Sequence, residues 1–207
     1  MKQEYTQRID KLLLDYGRNV KPLIGEIAQR HKDRMVPDNI LNEIRALNDH
    51  IARCYRDNVD DDYIKGELGK AEGHLRRLLY DCFKQLNIYI SDNIKRWERW
   101  TYSSRWLYRE GGNFWKHYTK WRRNAQKDVI EAKKLESVDP DQALKRFESA
   151  YRNYRNIEEL FKNNRRFLVG SAFSGILSKA FSGIGWLIVT ILLSVAAVLI
   201  QQIFFSF

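Results

Sequence analysis

The apolar positions of residues 1–166 recur at three- and four-residue steps, and no stretch of alternating Val, Ile or Thr persists long enough to make a strand. The step is clearest over 38–56, where Ile40, Ile44, Leu47, Ile51 and Cys54 fall on one helical face behind the start signal Pro37-Asp38. Residues 63–90 repeat it with Ile64, Leu68, Ala71, Leu75, Leu78, Leu79, Cys82, Phe83 and Leu86. These two segments predict an antiparallel helix pair joined by the acidic turn 57–62. Further helices are predicted at about 4–16, 91–108, 113–135 and 141–164, with breaks at Gly111-Gly112 and Ser137-Val138-Asp139-Pro140. Pro22, Pro37 and Pro140 each sit where a helix start or junction tolerates a missing N–H. The expected fold is all-α, a helical bundle over 1–166, whose last helix carries Leu144, Phe147, Tyr151, Tyr154, Ile157 and Phe161 and leads into the residues that follow.

From 167 to 207 the pattern changes. One charge, Lys179, remains, and 184–200 has none. About 20 apolar residues at a rise of about 1.5 Å cross a hydrocarbon core of about 30 Å, so a C-terminal transmembrane helix is expected. A buried core helix of this length would need a much larger protein around it. The expected division is an amphipathic lead-in over 167–182 and a spanning part at about 184–204, with the bend at Gly183-Ile184-Gly185. Lys162, Arg165 and Arg166 precede it, which by the positive-inside rule puts the helical domain in the cytoplasm. Ser171, Ser174, Ser178 and Ser182 form one small polar row beside Gly175, Lys179 and Gly183. Small residues let membrane helices approach closely, so this stripe predicts a homo-oligomer assembled through the segment. Lys179 either snorkels to the headgroups or faces a water-filled lumen.

Charge sharpens the reading. The chain carries 36 Lys and Arg against 26 Asp and Glu, a formal +10, and +8 of it falls within 93–127. Arg96, Arg99, Arg105, Arg109, Lys116, Lys120, Arg122 and Arg123 share that window with Lys95, Lys127 and five tryptophans, Trp100 and Trp106 among them. Cations interleaved with flat rings suit a single-stranded nucleic acid or a nucleotide, since Lys and Arg track phosphates while rings stack bases. The same composition suits anionic lipid, or an ordinary solvated face with some rings filling the core. Cys54 and Cys82 fall among apolar residues at helical spacing, which fits a reducing compartment rather than a disulfide framework. His31 and His117 have no companions that suggest a metal, and no cofactor is expected. The first 17 residues break up their apolar positions with charges, unlike a signal peptide.

Arg45-Ala46-Leu47-Asn48-Asp49-His50 has the Arg-x4-His spacing of HEPN ribonucleases, with Ala46 where that motif usually has a polar residue. The resemblance implies an all-helical domain whose Arg45 and His50 act on an RNA phosphodiester, without metal, across a dimer. The opposing polar set, Glu72, His74, Arg77 and Asp81, favours a structural network instead, and the chain is expected not to be an enzyme. A divergent HEPN-like bundle followed by a membrane segment resembles the small membrane effectors of bacterial antiphage defence, those of the Hailong type in particular. That resemblance rests on Arg45 and His50, the 93–127 window and 167–207. It implies a homo-oligomeric channel in the bacterial inner membrane, gated by an oligonucleotide or nucleotide from a partner enzyme. The other readings are a membrane-tethered HEPN-type ribonuclease using Arg45 and His50 and a tail-anchored scaffold whose basic face grips the membrane surface.

Overall fold

The structure, a computed structural model, describes residues 2–101, 112–164, 183 and 186, with backbone alone at 100 and 101. Every regular element among them is helical: α1 (Gln3–Asp15), a single π turn (Tyr16–Val20), α2 (Lys21–Arg30), α3 (Asp38–Arg53), α4 (Asp61–Thr101), α5 (Asn113–Leu135) and α6 (Pro140–Asn163).

The spine is α4, whose 41 residues extend about 60 Å at helical rise. The sequence reading divides this stretch into helices over 63–90 and 91–108, and Ser91, Asp92 and Asn93 are residues that a helix interior disfavours. The helix runs on without a break because Leu86, Ile90 and Ile94 continue one fully buried row, all at 0 % exposure. Burying that row outweighs the few tenths of a kcal/mol per residue by which Ser, Asp and Asn disfavour a helix interior. The helix α2 was hidden for the opposite reason. Its 10 residues carry little apolar periodicity, and Ile27 is its one fully buried side chain. Pro22 lies in the first turn, where its missing N–H costs no helical bond.

Side-chain contacts give the directions. The helix α3 runs antiparallel to α4, with His50 meeting Glu67 and Glu43 meeting His74, as the hydrophobic pattern predicted. In contrast, α6 runs parallel to α4, through Tyr80–Phe147, Phe83–Tyr151 and Trp97–Phe161. The helix α5 packs along α6 and runs antiparallel to it, with Asp128 against Arg146 and Ser149 and Phe114 against Phe161. Two apolar clusters result. One packs α1, the π turn, α2 and α3 on the first part of α4; the other gathers Ile90, Ile94, Phe114, Tyr118, Ala125, Tyr154, Ile157 and Phe161.

The start of α6 matches its sequence signal: the Asp139 side chain accepts from the Gln142 N–H at 3.0 Å, and Pro140 occupies the first turn. The helix ends at Asn163, with Asn164 outside helical geometry (φ −103°, ψ 10°); residues 165–167, where it was expected to lead into the apolar segment, lie outside the described residues. A buried charge network ties α6 to α2. Arg30 donates to both Glu158 oxygens at 2.9 and 2.6 Å and to Glu26 at 2.8 Å, and the Tyr151 hydroxyl donates to Glu26 at 2.7 Å. Burial and that bond to Glu26 push Tyr151 up to about 12.

Among the described residues no helix is long and apolar enough to cross a membrane. Of the expected membrane segment, 167–207, only Gly183 and Trp186 are described, both helical. The stripe residues Ser171, Ser174, Gly175, Ser178, Lys179 and Ser182, and the expected boundary at 166–167, lie outside the described residues.

Candidate functional site

The helix α5 sorts the basic-aromatic window into two faces. Phe114, Tyr118 and Ala125 point into the bundle, while Lys116, Lys120, Arg123 and Lys127 are exposed. At about 100° per residue these four cations fall within about 60° of one another, opposite the buried side. They form a continuous outer row about 16 Å long. Arg122 stands apart from that row. Its Nε lies 2.8 Å from Glu98 Oε1 and its Nη2 3.2 Å from Oε2, and the Tyr118 hydroxyl donates to the same carboxylate. Arg122 therefore fastens α5 to α4, and its charge is matched by Glu98.

The rings divide likewise. Trp97 packs on Phe161 at 5.1 Å, and Trp115 packs edge-on to Phe114 and Tyr118 at 4.9 and 5.2 Å. Both belong to the second core cluster. Trp121 is half-buried, and the exposed His117 stacks on it at 5.3 Å and 22°, so among the described residues this pair presents an aromatic surface on the same helix as the cationic row. On α4, Arg96 and Arg99 are exposed, Arg96 bonding Asn93 at 2.6 Å. Arg105, Trp106, Arg109 and the side chain of Trp100 lie outside the described residues.

Arg45 and His50 do not converge within the chain. Five residues apart on α3, they are about 140° apart around the helix. Arg45 is exposed and makes no ion pair or hydrogen bond among the described residues. His50 turns inward, its Nδ1 2.7 Å from Glu67 Oε2, and its ring stacks on His74 at 5.1 Å. His74 in turn holds Glu43 at 2.7 Å. Of the opposing set read from sequence, Glu72 is taken by Arg8 at 2.8 Å and Arg77 lies 3.9 Å from Glu43, while burial raises the Asp81 carboxyl above its usual range. Pattern reading missed Glu43 and Glu67. Glu67 was legible in part, since it sits on the buried row between Ile64, Leu68 and Ala71 while being itself 3 % exposed.

Lys70 and His50, bonding to Glu67, hold its carboxyl down to about 2 from an ordinary 4.5. Glu158 is also lowered: burial opposes the shift, and the Arg30 guanidinium outweighs it. A depressed carboxyl contributes stability that is complete above its unfolded value and is lost as pH falls through the folded one. Unfolding midpoints are therefore expected to drop between about pH 4.5 and 2. In Glu67→Gln that drop should shrink, as denaturant melts across the range will test; an unchanged acid profile would remove Glu67 from the account.

Among the described residues no group of three or more His, Cys, Asp or Glu is arranged to hold a metal ion. Cys54 and Cys82 are both buried free thiols, and burial pushes Cys82 up to about 12, far from a reactive thiolate. Compared with protein-family models, curated proteins and solved structures, the chain matches none.

Proposed function

We propose that the chain is a homo-oligomeric membrane channel effector, gated by a single-stranded nucleic acid or nucleotide signal and acting in antiphage defence. One observation carries the reading. The exposed cations Lys120, Arg123 and Lys127 lie on the helix that packs along α6, and α6 is the last helix before the apolar residues 167–207. A polyanion along the row neutralises charges that otherwise repel one another. Because α5 is fastened to α4 by Arg122–Glu98 and to α6 by Asp128–Arg146, an altered seating of α5 acts on α6 directly. Differential affinity for two seatings is what gating requires. Within the apolar segment the Trp186 ring is 77 % exposed, the kind of surface that lipid or a second copy covers. The defence role is drawn from the resemblance of this architecture to antiphage membrane effectors.

The test is the purified full chain in a planar bilayer, with single-stranded oligonucleotide added to the side of the helical domain. Conductance should change on addition. Ser174→Leu should break the oligomer seen by native mass spectrometry while leaving the protein in the membrane. A monomer that passes no ions with or without oligonucleotide would sink the channel reading, and cleavage of added RNA would favour a nuclease.

A further inference from the structure

The rings of the second core cluster mark one end of the bundle. Phe161, two residues before the end of α6, contacts Trp97 near the end of α4 at 5.1 Å, and Phe114 and Tyr118 near the start of α5 at 5.4 and 5.8 Å. Three helix ends meet at one level. Residue 167, where the apolar sequence begins, is six residues beyond Phe161, which is about 9 Å of helix or at most about 20 Å of extended chain. If 167–207 enters a bilayer, this end of the bundle faces the headgroup layer and the far end of α4, where Lys2 pairs with Asp61, faces away from it.

The exposed charges at this end are mainly cationic. Arg96 and Arg99 flank Trp97, Lys116 lies two residues after Phe114, and Lys162 follows Phe161 with its side chain 58 % exposed. Of the nearby carboxylates, Glu98 is engaged by Arg122 and Tyr118, Glu158 by Arg30 and, at 3.8 Å, by Lys162, and Asp92 by Lys95, which leaves the exposed Glu159 against them. Lys and Arg gathered at the end of a domain that lies next to a bilayer are drawn to anionic headgroups.

We propose that this end of the bundle, through Arg96, Arg99, Lys116 and Lys162, docks on the anionic headgroups of the membrane that holds residues 167–207. The inference rests on the membrane reading of that segment, and it assigns these cations to phospholipid, leaving Lys120, Arg123 and Lys127, farther along α5, for the soluble signal. Headgroup contact then sets the height and tilt of the bundle over the bilayer. A cation near an anionic surface strengthens association about fivefold.

The test uses the full chain in nanodiscs of phosphatidylcholine mixed with phosphatidylglycerol, counting the lipids retained on release by native mass spectrometry. Wild type should retain phosphatidylglycerol preferentially, and less so as salt rises. The triple variant Arg96→Gln, Arg99→Gln, Lys116→Gln should weaken that preference on the order of a hundredfold. The triple variant Lys133→Gln, Lys134→Gln, Lys145→Gln, equal in charge but at the other end of α5 and the start of α6, should keep it. Equal retention by wild type and the first variant overturns the proposal, as does salt-insensitive retention by wild type should that variant not fold. Oligonucleotide binding that depends on Arg96, Arg99 and Lys116 while lipid retention does not also overturns it, in favour of nucleic acid at this end. Protein released from membranes by alkaline extraction would instead refute the membrane reading itself.

Discussion

Replacing Glu158 by alanine should destabilise the fold by about 3 kcal/mol, the lower end of what breaking a buried ion pair costs. Both partners are nearly out of water, with side-chain exposures of 12 % for Arg30 and 5 % for Glu158. Loss of the carboxylate leaves a guanidinium in a poorly solvating environment, and Glu26 at 2.8 Å compensates it in part. The penalty comes from the stranded charge rather than from the lost attraction. The double replacement Arg30→Met with Glu158→Leu removes both charges and should therefore recover most of the loss. Chemical denaturation of the detergent-solubilised protein measures both. A double variant as unstable as Glu158→Ala would mean that the pair itself, not the unpaired Arg30, is what the junction of α2 and α6 depends on.

The second large effect concerns salt. Each phosphate neutralised on a single strand contributes about 0.7 to the slope of log affinity against log salt. Lys120→Gln with Arg123→Gln and Lys127→Gln should therefore make oligonucleotide binding shallower in salt by about 2. Arg122→Gln should leave that slope nearly unchanged and lower the melting temperature instead, because its guanidinium already meets Glu98 at 2.8 Å. His117→Ala, which strips the exposed ring from Trp121, should weaken binding with the slope kept, and single strands should bind better than duplex because only free bases stack. Fluorescence anisotropy over a salt series separates these cases. If Arg122→Gln flattens the slope as much as the triple change does, the outer row is not the binding surface.

The contrast between Arg122 and Arg123 shows how far pattern reading reaches. Both are basic residues of one window, and nothing in their immediate neighbours distinguishes them. They differ because a step of about 100° around the helix separates a side chain facing Glu98 of α4 from one facing water, and Glu98 is 24 residues away. Trp97 and Trp115 are similar: as letters they suit a stacking platform, and in the fold they complete a core. Arg45 and His50 lie close in sequence and diverge in space, while His50 and His74, far apart in sequence, stack.

By itself the sequence determined what depends on neighbours within a turn or two: the helical class, the start at Asp139-Pro140, the antiparallel pairing of α3 with α4, and the crowding of positive charge into 93–127. Periodicity and capping are local, so they survive without knowledge of the partner. Tertiary structure alone decided whether α4 breaks at Ser91, which cations remain exposed, and which carboxylates are buried. Those outcomes rest on contacts such as Arg30–Glu158, 128 residues apart. At such separations the pairing is set by how whole helices bury their apolar rows, and individual charges take the partners that this packing brings within reach.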